Sequence, residues 1–388
     1  MYNSFTIEGF RCFQSLSLPN LQRINLFGGK NNVGKTALLE AFFLHAAGGD
    51  PRLAARLTFS RGISIPASIV LQPETKTWTE RSWSWLFNRF DPSKEIVLTA
   101  QVSENTAGAR QLTRTVRLSL LSKPEDLRNV PIPQQVPPPP PAQVIETAEN
   151  IWAQPSLQAG QVFKVFKVEF CEDKKSETYY AIIDPRYPGY PVPQIVPIPP
   201  AQRPNAWFVP ARGVTDVAGD ADRFGRMVAN KQESTLVEHL QAIEPRLQRL
   251  EIVPIAGTPI IHADIGLGRL VPLNLLGEGM VRLTGLFLLM ISTPDGVILL
   301  DEFENGLHYS VLAEIWRNIA TVARAFDVQI FATTHSWECV AAAHNAFAKD
   351  SLYDFCYHRL EATAEGIRVV SYDRETLATS IEREREIR

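Results

Sequence analysis

The stretch GKNNVGKT, Gly29–Thr36, constrains the fold more than any other part of the chain. It fits G-x-x-x-x-G-K-[ST], and it sits in the context that pattern needs. RINLFG upstream is strand-like, and ALLEAFF downstream has helical apolar spacing. A loop between strand and helix, with glycines at Gly29 and Gly34, can wrap a β-phosphate with backbone N–H groups. Lys35 would bring a mobile positive charge to the β- and γ-phosphates, and Thr36 would place its hydroxyl on Mg²⁺. The candidate nucleotide cradle is therefore Gly29, Lys30, Asn31, Asn32, Val33, Gly34, Lys35, Thr36 and Ala37. The bland alternative is a glycine-rich turn that binds nothing.

Two downstream apolar strands end in residues that suit the same chemistry. GVILLDE carries Asp301 and Glu302 at its end, where open α/β sheets bind ligands. Asp301 fits a Mg²⁺ ligand, direct or through water, and Glu302 fits the group that orients an attacking water. Two acids solvating a strand end is the competing explanation. FATTHSWE ends a second strand with His335, a candidate donor to a terminal phosphate oxygen and to the water. A lone histidine at a strand end is more often structural. The stretch PLNLLGEGMVRL, Pro272–Leu283, places Gly277, Glu278 and Gly279 at the mouth of an apolar helix, either as a tight turn or as an anion-binding helix start.

Composition narrows the class. Of 388 residues, 45% are hydrophobic and 21% charged, which suits a globular protein with a sizeable core. A formal net charge of −3 argues against coating nucleic acid by bulk electrostatics. Cys12, Cys171, Cys339 and Cys356 are far apart with no CxxC, which fits a reducing cytosol better than disulfides or zinc. The N-terminus has no apolar signal core, and Leu283–Ile291 is too short to span a bilayer, so a cytoplasmic location is expected.

The pattern divides the chain into residues 1–50, the first part of an α/β core; residues 51–205, a β-rich insertion; and residues 206–388, the rest of the core. In the insertion EIVLTAQV, RTVRLSL, FKVEF and ETYYAII read as antiparallel strands. Residues from Asp50 to Asp91 give no clear pattern beyond Trp78, Trp83 and Trp85 as packing groups. Two proline-rich runs, Val130–Gln143 and Pro191–Pro204, read as linkers that cannot join a central sheet; ligands for a partner domain are the alternative. In the last part STLVEHLQAIEPRLQRL reads as one amphipathic helix. SVLAEIWRNIATVARAF and WECVAAAHNAFA read as helices, and the tail as a hairpin followed by a charged helix. Continuous apolar strands between helices indicate a mainly parallel sheet covered on both faces.

FTIEGFRCFQSLSLPNLQRINLFGGKNNVGKTALLEAFF, WFVPARG, LLDEFENGLH and TTHS together resemble the ABC-type ATPases. The resemblance is to the branch that holds SMC proteins, RecF and the OLD-like ATPases of prokaryotic defence systems. It covers both ends of the chain and is loose from Asp50 to Pro204. It implies an ABC-type P-loop ATPase fold, with a mainly parallel core sheet flanked by helices, an antiparallel β-rich subdomain and a small helical signature lobe. It implies ATP and Mg²⁺ as ligands and a homodimer in which two chains sandwich two nucleotides. Gly277, Glu278 and Gly279 then occupy the signature that meets the partner's γ-phosphate, although Leu276 stands where transporters carry serine. ENGLH resembles the D-loop, which makes Asn305 a candidate contact across the dimer. Arg11 and Lys30 lie near the nucleotide by analogy, and Gln72 and Gln101 are candidates for a Q-loop glutamine.

The expected activity is ATP hydrolysis in a dimeric switch linked to nucleic-acid sensing, DNA repair or control of a separate defence effector. DNA or RNA and an effector protein are open as partners. The roughly fifty residues after His335 lack a second α/β unit with an acidic triad, so no nuclease site is expected. An ATP-dependent assembly scaffold with little turnover, or the ATPase subunit of a transporter, are the alternatives.

Overall fold

The computed structural model describes residues 1–60, 83–104, 110–121, 124–127, 130–131, 164–183, 194–199, 206–211, 216–350 and 352–383. At its centre is a six-stranded sheet in the order β16-β15-β3-β14-β13-β9. Its strands are β3 (Ile24–Gly28), β9 (Ala206–Val209), β13 (Val297–Leu300), β14 (Gln329–Thr333), β15 (Phe355–Thr363) and β16 (Gly366–Tyr372). Every neighbouring pair is parallel except β15 with β16, the hairpin at the edge. All residues of β3 and β14 are buried, which is why these segments read as continuous apolar runs.

Side-chain alternation assigns the two faces. Phe27, Leu299 and Phe331 join one core cluster, while Ile24, Leu26, Ile298, Leu300, Ile330 and Ala332 join another. On the first face lies the helix Lys35–Ala46, which follows the glycine-rich loop. It is apolar nearly all round because it is covered twice. Phe42 stacks on Phe331 of the parallel sheet and on Phe5 of a second sheet, each at 4.1 Å between ring centroids. The helices Glu278–Ser292, Leu312–Ala325 and Trp337–Ala348 supply side chains to the core on the opposite face.

The second sheet has seven antiparallel strands in the order β2-β1-β4-β5-β6-β7-β8. These are β1 (Tyr2–Phe10), β2 (Phe13–Leu18), β4 (Ile96–Glu104), β5 (Arg110–Leu121), β6 (Lys164–Glu172), β7 (Lys175–Ile183) and β8 (Gln194–Val196). The N-terminal β1 and β2 therefore belong to it, alongside strands from the insertion. Gln329 of the parallel sheet fastens β1 by accepting from the Tyr2 amide at 2.6 Å and donating to the Tyr2 carbonyl at 2.9 Å. β8 lies at the sheet edge, where proline-flanked segments are tolerated. Trp83 is buried and stacks on Phe166 at 5.2 Å, and Trp85 is half-buried. Trp78, Gln72 and most of both proline-rich runs lie outside the described residues.

One expected helix is divided. The helix within STLVEHLQAIEPRLQRL spans only Glu233–Leu240, and β10 (Arg249–Ile255) begins before that segment ends. Pro245 lacks the amide that a helix needs and its ring obstructs the preceding turn. Leu247 and Leu250 are instead buried beside β11 (Thr258–Asp264), in a three-stranded sheet closed by β12 (Val271–Pro272). The lobe before the GEG stretch thus combines this sheet with helices Val217–Ala229 and Glu233–Leu240.

His45 ties the Lys35–Ala46 helix to the antiparallel sheet, with Nδ1 2.8 Å from the Tyr2 hydroxyl and Nε2 3.1 Å from the Arg114 carbonyl. Burial lowers its pKa to about 4 from 6.5. The unfolded chain therefore takes up a proton below pH 6.5 that the fold refuses until about pH 4. Stability from this group is complete above pH 6.5 and is lost as pH falls toward 4. We predict that His45→Gln makes the pH dependence of unfolding free energy shallower in this window, by up to about 1.4 kcal/mol per pH unit. Denaturant melts across pH 4–7 check this, and an unchanged slope would mean that His45 is charged in the fold.

Candidate nucleotide site

The glycine-rich loop leaves β3 at the C-terminal edge of the parallel sheet and enters the Lys35–Ala46 helix. The Lys35 ammonium donates to the carbonyls of Gly29 at 2.7 Å and Lys30 at 3.0 Å. Burial lowers its pKa, opposed by the charges of Asp301, Glu302 and Glu304. Val33 is buried beneath the loop, while Lys30, Asn31 and Asn32 are exposed.

Asp301, just past β13, is 6% exposed and is met by two hydroxyls. Thr36 Oγ1 donates to its carboxylate at 3.0 and 3.2 Å, and Thr333 Oγ1 donates at 2.7 Å. The same Thr333 oxygen accepts from the Glu302 amide at 2.8 Å. Glu302 has a φ of +47°, a left-handed conformation that a non-glycine residue keeps only when its surroundings impose it. They do so from several sides. Asn305 Nδ2 donates to Glu302 Oε2 at 2.8 Å. Arg282 Nη2 donates to the carbonyls of Asp301 at 2.6 Å and Glu302 at 3.0 Å, and Arg282 Nη1 reaches Ala211 O at 3.2 Å. Burial lowers the Arg282 pKa, opposed chiefly by Glu278 and Asp301.

Two neighbouring clefts share Asn31 and Glu302. The larger, about 1060 Å³, is lined by Asn31, Asn32, Gly34, Lys35, Thr36, Ala37, Asp301 and Glu302. Arg11, Cys12, Trp85, Phe87, Asn88, Arg89 and Phe90 complete its lining. The smaller, about 510 Å³, brings together Asn31, Ala211, Glu278, Glu302, Asn305, Gly306 and His335. His335 is half exposed, and its Nδ1 lies 3.1 Å from Glu304 Oε1, which also accepts from the His335 amide at 2.9 Å. Arg11 pairs with buried Glu40 at 3.0 Å. Gln101 sits on β4 and exchanges hydrogen bonds with Thr113 across the strands, so it lines neither cleft.

The two glycines of GEG differ. Gly277 caps the Glu278–Ser292 helix at φ +105°, and a Cβ there would meet nothing within 4 Å. At Gly279 a Cβ would lie 2.4 Å from the Gly306 carbonyl oxygen. Gly279 is thus required inside the chain, where the helix start presses on the Asn305–Gly306 turn, and substituting it would act through packing.

The donor set suits Mg²⁺. Thr36 Oγ1 and the Asp301 carboxylate are hard oxygen donors already at hydrogen-bond distance, at the helix start where the loop would hold phosphates. Those two residues would hold the ion, which would supply charge neutralisation at the β- and γ-phosphates. No cluster of three or more His, Cys, Asp or Glu suited to a metal occurs among the described residues, so the ion would rest on Thr36, Asp301 and the phosphates.

Thr333, Arg282, Glu304 and the cleft-lining residues Phe87, Asn88, Arg89 and Phe90 were not singled out in the sequence. Arg282 left a signal, as the sole ionisable side chain inside MVRLTGLFLLM. The others had none, because their roles arise from contacts between distant segments. We predict that Arg282→Met, which keeps length but leaves two strand-end carbonyls without their donor, destabilises the chain by roughly 1–3 kcal/mol. A thermal melt at native stability would contradict this.

Residues 191–340 match the family model described as "AAA domain, putative AbiEii toxin, Type IV TA system". A curated protein of Helicobacter pylori (strain ATCC 700392 / 26695), named ATP/GTP phosphatase, is 22% identical over 353 residues, covering 88% of this chain and 86% of that one. Among solved structures, an SmcHead bound to the C-winged helix domain of ScpA is similar at 11% identity and a TM-score of 0.47, over 97% of this chain and 99% of that one. The SMC head domain from Thermotoga maritima is similar at 11% identity and a TM-score of 0.40, over 96% and 99% respectively. The match over residues 191–340 contains the Asp301–Glu302 strand end and the GEG helix start, and the glycine-rich loop meets that strand end at one edge of the central sheet.

Proposed function

We propose that the chain is an ATP-hydrolysing switch that closes as a homodimer around two nucleotides. Its ATP state would pass to a separate effector or to nucleic acid in prokaryotic defence or DNA repair. The observation that carries this reading is the contact of Thr36 Oγ1 with Asp301 at 3.0 Å, with Lys35 and Glu302 lining the same cleft. The name of the Helicobacter pylori relative, ATP/GTP phosphatase, supports hydrolysis, and the family description supports an AAA-type domain.

In this reading residues 29–37 bind the phosphates, and Thr36 and Asp301 hold Mg²⁺. Lys35 neutralises charge that builds on the γ-phosphoryl group, and Glu302 orients the water for in-line attack. His335 contacts the γ-phosphate after leaving Glu304. The helix start at Gly277 and Glu278 meets the partner's nucleotide, with Gly279 setting its angle from within. Asn305 connects Glu302 to the dimer face. In this reading β3, the Lys35–Ala46 helix and the described part of residues 206–388 form the ATPase core, and β4 to β8 form the antiparallel arm, completed by β1 and β2.

We predict that Glu302→Gln retains ATP binding, lowers turnover by roughly 10²–10⁴-fold and traps an ATP-dependent dimer. Size-exclusion with MgATP and a phosphate-release assay check this. Turnover at the native rate would remove Glu302 from the chemistry. ATP-dependent dimers of the native chain with no turnover, even with DNA or RNA added, would favour the assembly-scaffold alternative.

A further inference from the structure

The turn at residues 304–306 holds more than the Glu302 carboxylate. Its first residue, Glu304, faces two N–H groups of one neighbour. Oε1 accepts from the His335 amide at 2.9 Å and lies 3.1 Å from His335 Nδ1. Oε2 is buried and meets no donor among the described residues. A buried carboxylate oxygen without a donor costs stability, so packing alone does not account for this acid. The contact also decides what His335 can offer. An ionised carboxylate only accepts, so a neutral imidazole paired with it carries its proton on Nδ1. Nε2 is then a lone pair and cannot donate to a phosphate oxygen. The pair keeps His335 in the smaller cleft, with Glu278, Glu302, Asn305 and Gly306. Lys35 and Thr36 line the larger cleft, whose described lining does not include His335.

We propose that Glu304 is the positioning residue of His335: it holds the ring off the phosphate loop, in the tautomer that cannot donate through Nε2, and yields it when the 304–306 turn shifts. The proposal rests on the reading of His335 as a γ-phosphate contact and names what governs that contact. Each residue of the turn holds a different group. Glu304 holds His335, and Asn305 Nδ2 donates to Glu302 Oε2 at 2.8 Å. The Gly306 carbonyl oxygen packs against Gly279, 2.4 Å from where a Cβ would stand. The turn is closed by the Asn305 amide donating to the Glu302 carbonyl at 3.1 Å and the Leu307 amide donating to the Glu304 carbonyl at 3.0 Å. Pressure on the helix start at Gly277 and Glu278 therefore reaches Glu304 through Gly306. An arriving γ-phosphate completes the release, because its oxygens accept from the ring in place of the carboxylate and its charge repels that of Glu304. Until then the phosphate contact is withheld, which keeps turnover low in a chain without its partner.

Phosphate release by the full chain at low protein concentration tests this, using native protein, Glu304→Ala, His335→Ala and the double variant. The expected result is a rise of roughly three- to tenfold in kcat/KM for MgATP in Glu304→Ala, the range for one net hydrogen bond removed from the resting state. The double variant should match His335→Ala, because Glu304 acts only through the ring. Labelling histidine with ¹⁵N, with the His335 signals assigned from His335→Ala, gives a second readout at mildly alkaline pH. The ligand-free native chain should carry the His335 proton on Nδ1, and Glu304→Ala should move it toward Nε2. Thermal melts check folding, and Glu304→Gln covers an early melt of Glu304→Ala: it keeps an acceptor for the His335 amide, and its kcat/KM should still exceed the native value. A folded Glu304→Ala that turns over at or below the native rate, or a native ring protonated on Nε2, would overturn the positioning role and leave the γ-phosphate contact standing. His335→Ala with native turnover would overturn that contact, and the role of Glu304 with it.

Discussion

The buried carboxylate of Asp301 organises the site. It would be costly to bury with nothing to hydrogen-bond it, and it is met by Thr36 from the phosphate loop and Thr333 from the neighbouring strand end. Three segments far apart in sequence, following β3, β13 and β14, are thereby held at one edge of the parallel sheet. Thr333 also receives the Glu302 amide, so the hydroxyl that orients one acid fixes the backbone of the next. The left-handed Glu302 is the consequence: the strand cannot continue, and successive acids no longer point to opposite faces.

Around this clamp the Glu278–Ser292 helix is positioned by backbone contacts. Arg282 reaches the carbonyls of both acids, and Gly279 allows the helix start to press on Gly306. Asn305, in the same turn, holds the Glu302 carboxylate. A displacement of the helix start would therefore reach the acids through Arg282 and through the Asn305–Gly306 turn. That arrangement gives the proposed dimer contact a physical route to the chemistry, and it offsets the desolvation of a half-buried arginine in an apolar helix.

Much of this was legible in the sequence because it is local. The loop, the two apolar strands with polar ends, and the helices Leu312–Ala325 and Trp337–Ala348 each announce themselves within about fifteen residues. The parallel core followed from continuous apolar runs, and alternation in RTVRLSL and FKVEF gave the antiparallel strands. What stayed hidden depends on distant segments. Leu247 and Leu250 fit a helical period, yet Pro245 ends that possibility and the strands complete a small sheet. Gly279 read as a phosphate contact, and the sequence could not show the carbonyl that packs against its α-carbon. The segment Trp85–Phe90 has no periodicity, and only in the fold does Asn88 fasten it to the Arg11 carbonyl beside the cleft that Lys35 lines.

In the proposed function Thr36 and Asp301 form a Mg²⁺-dependent nucleotide site. The most direct measurement is ATP affinity with Mg²⁺ and with chelator, for the native chain and for Asp301→Asn, with thermal melts confirming that both are folded. The account predicts that Mg²⁺ strengthens ATP binding to the native chain and that this gain disappears in Asp301→Asn, because a neutral amide supplies little attraction for the ion. An equal Mg²⁺ dependence in the two proteins would contradict it.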